Sequence, residues 1–430
     1  MRKEGASAAG SERRIVVSGV GAVSGLGWGI EALWQGLREG RTAIRRFQRF
    51  DHSGHRTHLA AEVPPPPPDL ERWSSSQAGA GRQWSVADRF ALAAAAEAFA
   101  GAGLAADGAL AEAGVFFGSS TGGMWESEGF LAALLAGRRR SIHCLASQQV
   151  NGPGDAVARF AGAGGPVQTI SSACASGALA ADAALQALRS GEVELAIAGG
   201  SDSLCQLTYA GFNALRSVDE QPCRPFRAGR AGMSLGEGAA VLVLEPAARA
   251  LARGARPLAE LAGSASSCDA HHMTAPHPRG EGAAAAMLAA LADAGVGADA
   301  VDFLNAHGTG TPLNDAAEWH AMEEVFGERA ARIPLVATKA LVGHLLGSAG
   351  AIEAVATVLA LARGELHPAW SEEGIGGDTA DGDAVPALPV SLVVGKPLPV
   401  PEARVALSTS LAFGGSNAVL VFRRWSDPAA

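Results

Sequence analysis

Short β-branched runs that end in small or polar residues alternate along this chain with Ala-rich stretches. Arg14–Ser18 reads as the first strand. The apolar run from Ile15 to Leu26 is broken by Gly19, Gly21 and Gly25, which predicts a strand and then a turn. Val86 to Gly101 predicts a helix. Val115–Phe117 runs into Gly118, Val167–Ile170 precedes Ser171-Ser172-Ala173-Cys174, and Val193–Ala198 ends in Gly199-Gly200. In the second half, Val301–Leu304 runs into Asn305-Ala306-His307, and Pro334–Ala337 precedes Thr338-Lys339. Arg404–Leu407 and Ala418–Phe422 are the last predicted strands. This alternation predicts an α/β architecture with mostly buried strands. Several strands end in small polar residues, the side of an open α/β sheet where chemistry is usually placed.

Three of these strand exits carry reactive groups. Cys174 sits between a strand and a helix expected over Ala178 to Ser190, which stops at Gly191. Unpaired N–H groups and partial positive charge at a helix N-terminus predict a lowered thiol pKa. A lone buried cysteine is commonly inert, and Cys144, Cys205, Cys223 and Cys268 lack this context and read as structural. His307 lies in Asn305-Ala306-His307-Gly308-Thr309-Gly310-Thr311-Pro312, before a helix expected near Asn314-Asp315. His344 ends Thr338-Lys339-Ala340-Leu341-Val342-Gly343-His344, before a helical run over Gly347 to Ala362. One cysteine and two histidines suit acyl transfer: a thiolate attacks, and neutral imidazoles donate to a developing oxyanion. The spacing matches no helical metal motif.

Composition narrows the picture. The chain has 430 residues, 48% of them hydrophobic, enough for a large core and, by length alone, for roughly two or three domains. The net charge of -9 argues against nucleic acid as a partner. The five cysteines are scattered, with no CxxC pair, so neither a zinc site nor a disulfide framework is indicated and a reducing cytoplasm is expected. No run of 18 apolar residues exists, so no membrane span is expected. Residues 1–13 read as a loose tail, Pro64 to Pro68 as a stiff surface loop, and 366–388 as an exposed loop.

The segments SSACASG (171–177), NAHGTGTP (305–312), TKALVGHLLGSAG (338–350) and AFGGSN (412–417), with RPF (224–226), GEG (236–238) and HMTAP (272–276), make the chain resemble the elongating β-ketoacyl-acyl-carrier-protein synthases of the thiolase-like superfamily. The resemblance runs from about residue 13 to 424. It implies an α/β thiolase-like fold in five layers, α/β/α/β/α, from two similar halves: 14–256 with the cysteine and 257–424 with the histidines. That replaces the length-based domain count. It implies decarboxylative Claisen condensation. Cys174 takes the acyl chain from an acyl carrier protein, and His307 and His344 hold the malonyl thioester carbonyl. Lys339 is a charge that orients the histidine region, and the backbone N–H groups of Cys174 and Phe413 form an oxyanion hole. By the same resemblance Phe413 gates the acyl pocket, Thr309 and Thr311 contact the phosphopantetheine arm, and Thr274 lies near its entrance. Thr121, Gln149 and Phe212 line the acyl pocket, and Glu353 is structural, able to help enclose a monovalent cation. Arg138, Arg139 and Arg140 form a basic landing site for the acidic carrier. No redox cofactor or transition metal is implied. The expected assembly is a homodimer, or a heterodimer with a related ketosynthase-like subunit.

The sequence departs from the family pattern at three places. Ala412 stands where the family often has Gly, and Leu411 one residue before it removes an aromatic neighbour. Arg227 stands where Asp usually follows Arg-Pro-Phe. The stretch from Gly200 to Phe226 is similar to ketosynthases of aryl-polyene and related polyketide clusters. Two other readings compete. A non-catalytic chain-length-setting subunit would lack the nucleophile that Cys174 supplies. A degradative thiolase would need a second catalytic cysteine late in the chain, and none follows Cys268.

Overall fold

The computed structural model describes residues 13–70, 83–104, 108–370 and 385–426. The tail expected at 1–13 lies outside the described residues up to residue 12, as does the 371–384 part of the loop expected at 366–388.

Among the described residues, eleven strands follow one another across one mixed sheet: β1 (Ile15–Ser24), β2 (Gly114–Gly118), β3 (Val167–Ile170), β4 (Ala196–Asp202), β5 (Gly238–Pro246), β6 (Ala259–Cys268), β7 (Phe303–Asn305), β8 (Pro334–Val336), β9 (Ser391–Leu392), β10 (Val405–Leu411) and β11 (Ser416–Arg424). Their spatial order is β9-β8-β7-β10-β11-β6-β1-β5-β4-β2-β3, and the short strand Gly27–Trp28 pairs with β1. The helices used below are α1 (Val86–Gly101), α2 (Met124–Leu135), α3 (Ser176–Ser190), α4 (Gln206–Ala214), α5 (Glu281–Asp293), α6 (Pro312–Phe326), α7 (Lys339–Val342) and α8 (Ala349–Arg363).

The sheet repeats itself. The path β1-β5-β4-β2-β3 pairs antiparallel, antiparallel, parallel, parallel. The path β6-β11-β10-β7-β8 does the same. The first strand of each path carries an irregularity at the same place, between Val17 and Gly19 and between Leu261 and Gly263. There an outer helix lies directly on the strand. A Cβ on Gly19 would fall 2.2 Å from the Ala98 carbonyl oxygen of α1, and one on Gly263 would fall 2.6 Å from the Ala294 nitrogen that follows α5. Between the two half-sheets α3 and α8 cross, each packed on strands of both halves. Their contact is reciprocal: a Cβ on Gly177 would meet Ala351 N at 2.7 Å, and one on Gly350 would meet Ala178 N at 2.7 Å. With α1 and α5 outside, the layers are α/β/α/β/α, as the resemblance implies.

Several boundaries differ from the sequence reading, for steric reasons. β1 continues through Gly19 and Gly21 rather than turning, because the glycines admit the backbone of α1. β4 runs through Gly199 and Gly200 to Asp202. A Cβ on Gly199 would lie 2.4 Å from the Ala240 oxygen, so the glycines let neighbouring backbone approach instead of ending the strand. α3 starts at Ser176, two residues before the predicted Ala178. α6 starts at Pro312, with the Thr311 side chain accepting from Asn314 N–H. α1 has its predicted span because Ser85 and Asp88 cap each other's backbone N–H. β3 is an edge strand and partly exposed rather than buried. Pro68 begins a helical turn, so the proline loop is shorter than expected. The stretch Leu346–Arg363 is long and apolar enough to cross a membrane, but most of it is buried as the central helix α8.

Candidate active site

The turn that presents Cys174 is strained. Ala173 has φ +46, a left-handed conformation that a Cβ disfavours by about 1–2 kcal/mol. Polar groups hold it there. The Ser176 hydroxyl donates to the Ala173 carbonyl at 2.6 Å and accepts from Ser172 N–H at 2.8 Å, and the Ser120 hydroxyl also donates to that carbonyl. The turn packs against the end of β2, where a Cβ on Gly118 would fall 2.5 Å from Gly177 N. Cys174 therefore stands just before the N-terminus of α3, where its own N–H and that of Phe413 favour a charged sulfur.

The thiol does not behave as the helix terminus alone predicts. Burial pushes it up to about 11, against the opposing charge of Lys339 and the N–H groups of Phe413 and Cys174. Removing a thiolate from water outweighs the favourable field here. The expectation of a lowered thiol pKa is therefore corrected: at rest the sulfur is a thiol.

His307 follows β7, and His344 lies in the turn between α7 and α8. Their rings are 5.5 Å apart and nearly perpendicular. One ring nitrogen of each and the Cys174 sulfur all lie within 4.8 Å of one another. His307 is set by Lys339, which makes three contacts. The buried Lys339 ammonium donates to His307 Nδ1 at 3.0 Å and to the His307 carbonyl at 2.7 Å, and it forms an ion pair with Glu353. On His344, Nδ1 accepts from Leu346 N–H at 3.1 Å, and Nε2 is buried without a hydrogen-bond partner among the described residues. An ammonium and an amide N–H can only donate, so both Nδ1 atoms accept and both neutral rings carry their proton on Nε2. Burial first and then the Lys339 charge hold both imidazoles well below the usual histidine range, with His344 adding to the effect on His307. A thiol and two Nε2–H groups form a set of donors. The atoms could gather around a soft metal ion only if both tautomers were reversed against their Nδ1 partners.

Glu353 uses one oxygen for Lys339 and leaves the other unpartnered among the described residues, and burial pushes its carboxyl to about 7. Three more buried carboxyls, not singled out from the sequence, shape the site. Glu318 of α6 accepts from His307 N–H at 2.7 Å, Gly308 N–H at 2.9 Å and the Thr409 hydroxyl at 2.6 Å. Asp315 accepts from Phe226 N–H and Gly310 N–H. Asp202 accepts from Ser119, Ser120 and Thr121 and from Gly347 N–H, fastening the turn before α8 to the end of β2. Glu318 and Asp315 read in sequence as ordinary acidic residues near a helix start; only their burial against turns marks them.

A cavity of about 280 Å³ leads from the surface to Cys174, His307 and His344. Thr274, Thr309, Thr311 and Phe413 line it, so the structure brings these predicted residues together. Thr309 and Thr311 share a hydrogen bond of 2.9 Å. None of Thr121, Gln149 and Phe212 lines this cavity. The Thr121 hydroxyl is committed to Asp202, and Gln149 is exposed. Phe212 packs its ring 5.8 Å from that of Phe413. Arg138, Arg139 and Arg140 are exposed after α2 and do not line the cavity. Ala412 is in ordinary extended conformation, and the turn after it falls to Gly414 and Gly415, both at positive φ. Arg227 stacks its guanidinium 4.1 Å over Trp370, an apolar partner that suits the reversed charge.

The family models described as "Beta-ketoacyl synthase, N-terminal domain" and "Beta-ketoacyl synthase, C-terminal domain" match residues 12–250 and 258–372. The chain is 35% identical over 424 residues to a 3-oxoacyl-[acyl-carrier-protein] synthase 2 of Synechocystis sp., a match covering 96% of this chain and 99% of that protein. Among solved structures it is similar to the ishigamide ketosynthase/chain length factor, with TM-score 0.85 and 34% identity over 96% of this chain and 100% of the other. It is also similar to a type II polyketide acyl-carrier protein complex with its ketosynthase bound to the hexaketide, with TM-score 0.81 and 29% identity over 96% and 100%.

Proposed function

The chain belongs to the β-ketoacyl synthase family, and from that premise we propose that Cys174, His307, His344 and Lys339 carry out its condensing reaction. The observation that supports this most is that a ring nitrogen of each histidine and the Cys174 sulfur lie within 4.8 Å of one another, with both Nδ1 atoms held as acceptors.

The reaction runs in two stages. First, Cys174 attacks an acyl thioester on an acyl carrier protein. The sulfur–carbon bond to Cys174 forms, the bond to the carrier breaks, and the proton lost from Cys174 ends on the departing carrier thiol. The N–H groups of Cys174 and Phe413 stabilise the oxyanion. Second, a malonyl thioester places its carbonyl oxygen at the Nε2–H groups of His307 and His344. Its carboxylate leaves as carbon dioxide, and the electron pair of the broken carbon–carbon bond becomes an enolate held by the two imidazoles. That carbon attacks the acyl-Cys174 carbonyl, and collapse releases a β-ketoacyl carrier and the Cys174 thiolate, which takes a proton from water to restore the thiol. No strong base is needed, because loss of carbon dioxide generates the nucleophile. Lys339 is a positioning residue that fixes the His307 tautomer. A monovalent cation, if bound, would be held by the free oxygen of Glu353, and no step requires it.

Thr274, Thr309 and Thr311 would guide the phosphopantetheine arm, and Phe413 would swing from Phe212 to admit the acyl chain. The product fits polyketide, polyene or fatty-acid assembly, and the neighbours with a chain-length factor or a carrier protein support a dimeric partner and carrier delivery for this chain. A second subunit would cover the open edge of β3 and the exposed Leu131, Leu134 and Leu135 of α2. The two halves divide at 14–256 and 257–424, in keeping with the repeated strand path. The five unpaired cysteines agree with a cytoplasmic setting. A non-catalytic chain-length subunit is not favoured, because the nucleophile and both donors are in place.

Intact-mass measurement after incubation with a panel of acyl-carrier proteins tests this reading. We expect an acyl adduct on the wild type and none on Cys174→Ala. Labelling that survives in the variant would remove Cys174 from the role.

A further inference from the structure

Arg216 stands where the cavity opens, at a helix end that glycine commonly occupies. α4 finishes at Ala214, and the chain then closes with Arg216 N–H on the Asn213 carbonyl at 3.0 Å and Ser217 N–H on the Phe212 carbonyl at 3.1 Å. Arg216 has φ +53, the left-handed conformation that Gly or Asn usually supplies after a helix. A helix C-terminus favours a cation, which accounts for a positive charge nearby but not for placing it on the strained residue.

The side chain is uncommitted. Arg216 is exposed and lines the cavity, and its guanidinium has no hydrogen bond or ion pair among the described residues. Among the described residues it is the only Arg or Lys on the cavity wall. The one carboxylate there, Asp269, is occupied by Asn417 Nδ2 at 2.7 Å and His277 N–H at 2.9 Å. Among the described residues, Arg216 therefore faces the cavity with no carboxylate paired to it. Thr274, Thr309, Thr311 and Asn314 line the same cavity, as do the buried thiol and the two buried imidazoles.

We propose that Arg216 binds the phosphate of phosphopantetheine-borne thioesters and so sets how deep the arm reaches toward Cys174. The proposal rests on the condensing reading above. It assigns to the mouth an anion whose source is either a carrier protein or coenzyme A.

The test compares acylation of Cys174 by one acyl group presented on a carrier protein, on coenzyme A, and on pantetheine, which lacks the phosphate. Arg216→Gly removes the guanidinium and relieves the backbone, so its thermal midpoint should not fall below that of the wild type. Its kcat/KM should drop about tenfold with the carrier and coenzyme A thioesters, through KM, and change less than about twofold with the pantetheine thioester. Arg216→Lys should recover most of the loss, and added salt should erode the wild-type preference for phosphate-bearing substrates. Equal loss with all three substrates, or loss with none, overturns the proposal. Loss with the carrier alone moves the contact to the carrier's protein surface and also overturns it. If the wild type forms no adduct with any substrate, the condensing reading itself fails, a result distinct from all of these.

Discussion

Replacing Lys339 by Met isolates the charge that orders the two histidines. Its ammonium touches His307 Nδ1, the His307 carbonyl and Glu353, and it is almost fully buried. Stranding a buried ionised partner costs about 3–5 kcal/mol. Glu353 need not stay ionised, because its carboxyl is already pushed to about 7 with the lysine present and rises further without it. The stability cost then falls to that of unmade hydrogen bonds, about 1–3 kcal/mol, and the variant should fold. The catalytic cost is larger and selective. Without the donor at Nδ1, the His307 proton can move there, and a lone pair then faces the enolate oxygen from Nε2. Losing one of two such donors costs about two to three orders of magnitude in rate.

The two stages separate this effect from a general loss. Lys339 also favours the Cys174 thiolate, so single-turnover acylation, followed by intact mass, should slow by about tenfold or less. Carbon dioxide release from a malonyl thioester should slow by about a hundredfold or more. Lys339→Arg keeps the charge and should restore part of the second rate. Equal slowing of both stages, or carbon dioxide release within about threefold of wild type, would refute the tautomer argument.

Two further predictions follow from charge and burial. With a pKa near 11, Cys174 should react with iodoacetamide at a rate that climbs about tenfold per pH unit from 7 to 10; peptide mapping separates it from exposed Cys268, and a plateau near pH 8.5 would show that burial does not control the thiol. Arg139→Glu, on the exposed stretch after α2, should lower turnover of a carrier-bound substrate about tenfold at low salt while sparing a small thioester mimic, and equal loss with both would sink the docking assignment.

What could be read from sequence was what local chemistry decides. Val167–Ile170 and Val86–Gly101 have the spans their patterns predict, the first because β-branched residues meet a Ser-rich turn, the second because a capping box starts the helix. Cys174, His307 and Lys339 could be singled out because each lies just past a strand among small residues, whereas His344 sits in the turn after the short helix α7. What escaped was decided by contacts distant in sequence. β5 and β6 lie near the middle of the sheet and are not among the predicted strands: the apolar run Val241–Leu244 of β5 carried the signal, while β6 is mostly small residues. Gly199 and Gly200 looked like a stop and proved to be a passage for neighbouring backbone. Glu318 reaches His307 from the helix that follows it, and nothing in its neighbours signals that it points inward. The Cys174 thiol shows the same limit in energetic form: the helix terminus is visible in sequence, but the depth of burial that outweighs it is not.

That burial also explains why the site works with unactivated groups. The same loss of water raises the thiol and depresses both imidazoles, so the resting site holds a neutral thiol and two neutral donors. The attacking thiolate therefore forms within the acylation step, its proton passing to the departing carrier thiol. Charged imidazolium rings would bring a more acidic proton beside the enolate and quench it before it could attack. Neutral Nε2–H groups stabilise the enolate oxygen while holding their protons more firmly. Small residues from both halves of the chain, Gly177 against Ala351 and Gly350 against Ala178, hold α3 and the start of α8 together. A side chain at either glycine would part the helix that carries Cys174 from the one that follows His344. The close crossing at the pseudo-repeat is therefore a condition of the chemistry as well as of the fold.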